Sequence, residues 1–179
     1  MYAEVDWTIR PAEERDAAAL ALVGAATFLD TYAGAIDGEA LIAHCAQHHS
    51  ADAYRRLLEA GAMAWLVELA PGGSPIGYAL ACAPELEQAR PGDWELKRIY
   101  VLSRFHGTGI SAALLDAVVA ASNGHPRLLL GVKNDNHRAL RFYAKHGFTE
   151  AGTRTFQVGA QRYDDFVLAR PLILETSDI

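Results

Sequence analysis

The sequence predicts a single domain with a mixed α/β fold. Its 179 residues suit one domain with a sizeable core, and a composition of 51% hydrophobic and 21% charged residues is typical of a packed globular protein. Strand-like and helix-like segments follow in the order β, α, α, α, β, β, β, α, β, α, β, β. Because this order combines local hairpins with strand–helix–strand crossovers, it indicates a mixed sheet rather than a regular doubly wound one.

The first half of the chain predicts one strand, three helices and a hairpin. VDWTIRPA is typical of a short strand that ends at Pro11, and an Ala/Leu-rich helix follows from Ala12 to Gly34. DGEALIAHCAQHHS predicts a second helix, and Ser50 is the expected N-cap of a third helix that is closed by Gly61. MAWLVELA and IGYALACAP flank the turn PGGSP, which predicts a β-hairpin.

The second half predicts four strands and two helices. WELKRIYV is a strand, and the chain then turns into a helix that runs through Ser122. RLLLGV is a short strand, and NHRALRFYAKHG is a helix closed by Gly147. FTEAGTRTFQ and RYDDFVLARPL predict the two closing strands.

Composition and charge argue against several classes of protein. The net charge is −6 and no Lys/Arg-rich run occurs, so we expect no nucleic-acid partner. The longest apolar run, AAALALVGAA, is too short to span a bilayer, and Glu4 and Asp6 near the start argue against a signal peptide. Two cysteines, Cys45 and Cys82, make no disulfide framework, so we expect a reduced, cytoplasmic protein without a membrane partner.

A glycine turn between a strand and a helix predicts an anion-binding site. The turn and the first helical turn after it consist of His106, Gly107, Thr108, Gly109, Ile110 and Ser111. Glycines allow positive φ and close approach of a ligand, and the free N–H groups of a helix start attract anions such as a diphosphate. An ordinary turn before a core helix is equally consistent with these residues.

Two other phosphate-binding patterns fit this turn less well. A P-loop would end in Gly-Lys-Ser/Thr, which is absent here. The dinucleotide pattern G-x-G-x-x-A matches Gly107, Gly109 and Ala112, but the strand after the helix ends in LGV, with no acid for a ribose. A nicotinamide enzyme is therefore an alternative with weak support.

A second motif lies one strand after the glycine turn. VKNDNHRALRFYAKHGF matches the pattern V-x-x-x-N-x-x-A-x-x-F-Y-x-x-x-G-F. With the turn before it, this motif resembles the GNAT superfamily of acetyl-CoA-dependent N-acetyltransferases, over roughly residues 7–172. The turn resembles that family's Gln/Arg-x-x-Gly-x-Gly/Ala loop, with His106 in place of Gln/Arg and Ser111 in place of the last Gly/Ala.

The resemblance implies a mostly antiparallel, splayed central sheet flanked by helices, and one N-acetyltransferase domain over residues 1–179. ELKRIYV and LLLGVKNDNHRALRFYAKHGF are further similar to a bacterial subgroup that includes polyamine N-acetyltransferases. The implied reaction is direct transfer of an acetyl group from acetyl-CoA to a small amine or a protein amine in a ternary complex. The resemblance leaves the oligomeric state open, and a homodimer is one option because dimers are frequent in such families.

The resemblance also implies roles for individual residues. The pantetheine arm would pair with the backbone near Ile99 and Val101, and that backbone would supply the oxyanion donor. Tyr143 matches the family's general-acid tyrosine, although a core aromatic is the alternative. Asn136 matches the asparagine that contacts the cofactor arm, with a helix N-cap as the alternative, and Lys145 could reach a phosphate.

The general base is less well defined. Some relatives carry a glutamate in the strand LLLGV, where this chain has Gly131. Glu95 is the nearest candidate and would act through water, but it lies one residue out of step with the glutamate that other relatives use. An exposed strand residue is its alternative role. The missing glutamate leaves open a second function, a catalytically idle acyl-CoA-binding module.

One helix is rich in possible metal ligands. It contains His44, Cys45, His48 and His49. His44 and His48 have the i, i+4 spacing that can bind a metal. No acid lies between them and no third ligand is evident, so we expect no metal site and interpret this as a polar face near the acceptor.

Overall fold

A seven-stranded sheet runs through residues 6–172, the part of the chain that the computed structural model describes. Its strands are β1 (Trp7–Pro11), β2 (Met63–Leu69), β3 (Ser74–Cys82), β4 (Trp94–Val101), β5 (Arg127–Lys133), β6 (Thr149–Val158) and β7 (Gln161–Pro171). They lie in the order β1-β2-β3-β4-β5-β7-β6, and only the β4–β5 pair is parallel. The predicted mixed, mostly antiparallel sheet is confirmed, while Val5 and both ends of the predicted domain lie outside the described residues.

Helices cover both faces of this sheet. Within residues 6–172 they are α1 (Ala17–Tyr32), α2 (Gly38–His48), α3 (Ala51–Glu59), α4 (Ile110–Ala120) and α5 (His137–Lys145). The Ser50 side chain accepts the N–H of Ala53 and caps α3 as predicted. None of these helices combines the length and the apolar character that crossing a membrane requires.

The first helix begins later than predicted. The sequence pattern placed its start at Ala12, but Glu14–Asp16 form a 3₁₀ turn and α1 begins at Ala17. Arg10 of β1 donates to both oxygens of the Asp16 carboxylate, at 2.9 and 2.8 Å. This contact with β1, together with the Glu13 N–H that donates to the same carboxylate, fixes Asp16 at the end of the 3₁₀ turn.

Two helices also end earlier than predicted. α1 ends at Tyr32 rather than Gly34, and α4 ends at Ala120 rather than Ser122. Gly34 has a φ of +84°, which is incompatible with a continuing helix. The Ser122 hydroxyl donates to the carbonyl of Val119 and so closes α4 with a side-chain hydrogen bond.

Two apolar layers enclose the sheet. α4 packs on one face, where Leu114 and Leu115 meet Ala79 and Leu96. α1 and α3 pack on the opposite face, in a cluster that contains Leu20, Tyr54, Leu66, Tyr78 and Leu80. α2 lies on that second side and packs against β6. Because side chains alternate along a strand, neighbouring residues of the central strands pack in turn against α4 or against α1 and α3.

The sheet splits between β4 and β5. These strands pair only through Trp94 with Leu128 and Glu95 with Leu129. Beyond Glu95 the edge of β4 that faces β5 has no strand partner among the described residues. Backbone N–H and C=O groups need hydrogen-bond partners, so this edge is available to water or to an extended ligand.

A β-bulge in β4 changes the direction of its side chains. The pairing with β3 skips Lys97, which is an extra residue in β4. Before the bulge, Glu95 pairs with Cys82 of β3. After the bulge, Arg98 pairs with Leu80, and both β3 partners belong to the layer packed against α1 and α3. Glu95 and Arg98 therefore face the same side, whereas residues three apart on a regular strand face opposite sides.

We expect the Asp16→Asn variant to lose about 1–2 kcal/mol of unfolding free energy near neutral pH, because it weakens charge-assisted hydrogen bonds from Arg10. Those hydrogen bonds lower the pKa of Asp16 to about 2, from 3.8 for an unperturbed aspartate. The stabilisation is therefore complete above about pH 4 and is lost as the pH falls toward about 2. Urea unfolding of wild type and variant across this range measures both effects.

The matched control for this prediction is Asp52→Asn. Asp52 pairs with Arg55, but the two side chains are 76% and 48% exposed. Exposed pairs contribute little, so we expect a loss of no more than about 0.5 kcal/mol. Equal losses in the two variants would contradict the role given to Asp16.

Candidate active site

The split between β4 and β5 opens into a cleft of about 1420 Å³. One end of the cleft lies at the start of α4, and the other end lies beside α1 and α2. All the residues predicted for the site except Thr108 line it, namely Glu95, Ile99, Val101, His106, Gly107, Gly109, Ile110, Ser111, Asn136, Tyr143 and Lys145. The fold thus brings the glycine turn, β4 and the start of α5 to one continuous opening.

The glycine turn presents bare backbone to this cleft. Gly107 and Gly109 have φ values of +81° and +85°, and a Cβ added at either position would meet no atom within 4 Å. No described side chain caps the start of α4 at Gly109. The Thr108 hydroxyl donates to the carbonyl of Phe105 at 2.6 Å, and Thr108 does not line the cleft. The first N–H groups of α4 are therefore free to bind an anion.

His106 has a structural partner on each ring nitrogen. Its Nε2 lies 2.9 Å from the carbonyl oxygen of Val101, and its Nδ1 accepts an N–H of Arg138. Since a guanidinium only donates, Nδ1 is unprotonated and Nε2 carries the proton. Burial and the neighbouring Arg138 both lower the pKa of His106, so the ring is neutral.

The contact with His106 brings Arg138 to the cleft wall beside the glycine turn. The motif places His106 at the position of the family's Gln/Arg, and it gives no role to Arg138. A local signal existed, because Arg138 lies in the first turn of α5 within the second motif. With both ring nitrogens of His106 engaged, Arg138 is the better placed side chain for an anion at the turn.

The unpaired edge of β4 is the second component of the site. Ile99 and Val101 line the cleft, although the Val101 carbonyl already accepts from His106. The side chain of Ile99 packs into the layer beneath α4. The free backbone near Ile99 suits pairing with an extended chain, as in β-strand addition.

Tyr143 and Asn136 project from α5 into the same cleft. Tyr143 is only 8% exposed and packs edge-on against Phe142 and Phe148. Burial raises the pKa of its hydroxyl, so the phenol stays protonated and can donate. The Asn136 side chain accepts the N–H of Ala139 at 3.1 Å, so it does serve as the N-cap of α5. Tyr143 is thus a core aromatic and Asn136 is a helix N-cap, and both also line the cleft.

Glu95 is a buried carboxylate at the cleft wall. It is 3% exposed, so the alternative role of an exposed strand residue is wrong. One of its oxygens accepts the backbone N–H of Glu85 at 2.7 Å. The other oxygen has no hydrogen-bond partner among the described residues, and it can accept a proton from a bound water or an amine.

The space beside Gly131, where some relatives carry a glutamate, is occupied by a neighbouring side chain. A Cβ built at Gly131 would collide with the guanidinium of Arg154, which reaches across from β6 and donates to Asp165 at 3.1 Å. A larger side chain at this position would displace that ion pair. Asp165 is thus paired, whereas Glu95 lines the cleft without an ion-pair partner among the described residues.

Aromatic and histidine side chains line the end of the cleft beside α1 and α2. We call this end the aromatic chamber, and its wall includes Phe28, Tyr32, His44, His48, His49, Arg98, Tyr100, Arg154, Phe156 and Asp165. The ring of His44 stacks on Phe28 with centroids 4.3 Å apart. At the mouth, Asp30 accepts the N–H and the hydroxyl of Ser103, which ties the end of α1 to the loop after β4.

The histidines of this chamber are neutral. Burial, with help from His48 and Arg98, lowers the pKa of His44 to about 4, and burial together with Arg98 lowers that of His49 to about 3. The residues that the structure describes contain no group of three His, Cys, Asp or Glu side chains suited to a metal ion. The chamber is therefore a wall of aromatic and neutral histidine side chains whose charged groups are Arg98 and the Arg154–Asp165 ion pair.

Comparison with protein families identifies the class of protein. The sequence profile of the acetyltransferase (GNAT) family matches residues 36–148, well over half of the chain. The protein belongs to this family.

Named relatives support this assignment. An uncharacterized N-acetyltransferase of Mycobacterium bovis is 45% identical over 103 residues, which cover 56% of this chain and 63% of the relative. Another, from Lactobacillus delbrueckii subsp. lactis, is 30% identical over 89 residues, covering 49% of this chain and 51% of that protein. The matched segments thus span less than two thirds of either relative.

Solved structures show the same fold. The PaiA N-acetyltransferase of Thermoplasma acidophilum, solved in complex with coenzyme A, superimposes with a TM-score of 0.72 at 18% identity, covering 93% of this chain and 99% of that one. An N-acetyltransferase of Staphylococcus aureus gives a TM-score of 0.67 at 20% identity, with coverage of 94% and 99%. At such low identity these likenesses establish the architecture alone.

We expect the Arg138→Met variant to have a higher His106 pKa than wild type, because it removes the cation that adds to the effect of burial. Following the imidazole C–H resonances by NMR across pH measures this pKa directly. The same substitution removes the guanidinium that donates to Nδ1 of His106.

Arg141→Met is the matched control. Arg141 lies on the same helix but is exposed, so we expect no change in the His106 pKa. An unchanged His106 pKa in Arg138→Met would contradict the contact between the two side chains.

Proposed function

We propose that the protein transfers the acetyl group of acetyl-CoA to a primary amine, directly and within a ternary complex. The observation that carries this proposal is one continuous cleft that contains an uncapped helix start, a free strand edge, a phenol and a carboxylate. Membership of the acetyltransferase family favours an acyl donor over the nicotinamide alternative.

The residues at the first end of the cleft fit coenzyme A. A diphosphate would lie against the N–H groups of Gly107 to Ser111, where no Cβ obstructs the approach. Arg138 adds a positive charge at that point, and Lys145 adds another farther along α5. When bound, acetyl-CoA supplies a thioester whose sulfur leaves as a thiolate.

The middle of the cleft offers one group for each proton and charge of acetyl transfer. The backbone near Ile99 donates to the carbonyl oxygen as negative charge develops on it. Glu95 accepts the proton of the attacking amine through a water, which frees the lone pair that forms the new C–N bond. Tyr143 donates its proton to the sulfur as the C–S bond breaks. The position of the two substrates in one cleft supplies much of the rate.

The acceptor enters, in this proposal, through the aromatic chamber. It is a small amine, such as a polyamine, or an amine exposed on a protein. A homodimer is part of the same proposal. An idle acyl-CoA-binding module is the competing function, and it differs from the enzyme in having no turnover for Tyr143 to support.

We expect Tyr143→Phe to lower the turnover number about 100-fold or more, because it removes the proton donor of the leaving sulfur. The dissociation constant of acetyl-CoA should stay within about twofold, since the ring itself is retained. Thiol release with the best amine and calorimetric titration of acetyl-CoA measure the two quantities.

Tyr163→Phe is the control, because that hydroxyl donates to Ala35 and does not line the cleft. We expect wild-type turnover in this variant. Unchanged turnover in Tyr143→Phe would contradict the role of Tyr143 as the general acid. No turnover in the wild type and in both variants would favour the idle module.

We expect Gly109→Val to weaken acetyl-CoA binding at least tenfold, about 1.4 kcal/mol. A valine side chain would project into the open space at the turn where the diphosphate is proposed to lie. Calorimetric titration with acetyl-CoA gives the dissociation constant.

Gly124→Val separates this steric effect from backbone strain. Gly124 has a φ of +87° and also has no atom within 4 Å of an added Cβ, but it does not line the cleft. Both variants should lose similar stability, about 1–3 kcal/mol, and only Gly109→Val should lose affinity. Equal affinities would refute the placement of the diphosphate.

A further inference from the structure

We propose that Arg98 binds a carboxylate of the acceptor, so that the acceptor is an amine that also carries a carboxylate, as a free amino acid does. This inference rests on the proposed function, because it names the substrate class of the same cleft. It narrows the acceptor away from polyamines, which carry only positive charges.

Arg98 is a half-buried cation without an anion. Its guanidinium lies 5.2 Å from the ring centre of Tyr54 and donates one hydrogen bond, of 3.2 Å, to the carbonyl of His48. No carboxylate within residues 6–172 forms an ion pair with it, whereas Arg154 of the same chamber pairs with Asp165. Removing a charge from water is costly unless an opposite charge compensates it. A ligand carboxylate would supply that charge.

The carboxylates of the cleft leave little for a second ammonium group. Asp30 accepts from the backbone and hydroxyl of Ser103, and Glu85 pairs with Lys97 at 2.6 Å. Asp165 is neutralised by Arg154, the pair described above. Glu95 has no cationic partner in the described residues, and the proposed function assigns it to the reacting amine. Among the described carboxylates of the cleft, Asp30 at the mouth is therefore the one left for a second ammonium group, whereas the unpaired positive charge of Arg98 would repel a polyamine.

The bulge at Lys97 brings two charged side chains that lack an ion-pair partner among the described residues onto one wall. Glu95 and Arg98 face the same side of β4 because the extra residue lies between them. Three residues of strand separate their Cα atoms by about 10 Å or less. A negative group and a positive group at this spacing match the amine and the carboxylate of one small zwitterion.

The rest of the chamber does not compete with Arg98 for the anion. His44 and His49 are neutral because of their lowered pKa values, and the phenol of Tyr100 is held protonated by burial. Phe28 and Phe156 contribute apolar surface. This environment suits an acceptor whose body is apolar or aromatic beyond the amine and the carboxylate.

The test compares amino acids with their carboxamides. Phenylalanine, alanine and glutamate are paired with phenylalaninamide, alaninamide and glutamic acid α-amide, and spermidine is added as a polycation. We expect kcat/KM to be at least tenfold higher for the acid of a pair. Arg98→Gln should lower kcat/KM for the acid at least tenfold and leave the carboxamide within about twofold, so that the preference disappears.

Arg98→Lys and Arg55→Gln complete the variant set. Arg98→Lys retains the charge but not the two-pronged geometry, so we expect partial retention of the preference. Arg55 lies on α3 outside the cleft wall, and Arg55→Gln should behave as wild type. An unchanged acetyl-CoA dissociation constant shows that each variant is folded.

Equilibrium binding separates failure of this inference from failure of the proposed function. Calorimetric titration of the coenzyme A-loaded protein with each acid and carboxamide measures the preference without turnover. If no amine is acetylated but acids bind tenfold more tightly in wild type than in Arg98→Gln, the proposed function fails and the anion site stands. Equal binding and equal kcat/KM for acid and carboxamide in wild type would overturn the inference, as would spermidine being the best acceptor. If Arg98→Gln does not fold, the wild-type comparison and Arg98→Lys decide.

Discussion

The parallel contact between β4 and β5 ends after two residue pairs, and the rest of the site depends on this early end. A continuous sheet would use the backbone of β4 for strand pairing and would separate its two faces completely. The split leaves a row of polar backbone groups without partners, which is stable only where water or a ligand can reach them. It also joins the helix starts of α4 and α5 to the chamber beside α1 and α2. Substrates that arrive from different sides can therefore meet within the sheet.

Local sequence patterns were sufficient for the parts of the site whose geometry is local. The positive φ values of Gly107 and Gly109 follow from a turn directly before a helix. The N-cap role of Asn136 and the inward position of Tyr143 follow from spacing within one short helix. The order of the elements was equally accessible, because hydrophobic periodicity and glycine signals mark each of them.

Several features that the sequence did not predict depend on contacts between side chains of different elements. His106 and Arg138 lie on different elements, and only the fold makes one the acceptor of the other. The late start of α1 depends on Arg10 of β1, and the space beside Gly131 is filled by the guanidinium of Arg154. Electrostatic pairs of this kind have no periodicity, so a pattern-based prediction has no signal to detect.

The extra residue at Lys97 bears on how this chain is compared with its relatives. Position-by-position comparison assumes that residues in equivalent columns project in equivalent directions, which holds only while strand registers match. A relative with the same glutamate and arginine but without the bulge would direct them into different layers. A relative with the two charges separated by one residue fewer on a regular strand would reproduce the arrangement found here. The insertion or deletion of a single residue in this strand can therefore change the acceptor preference as much as a substitution of a side chain does.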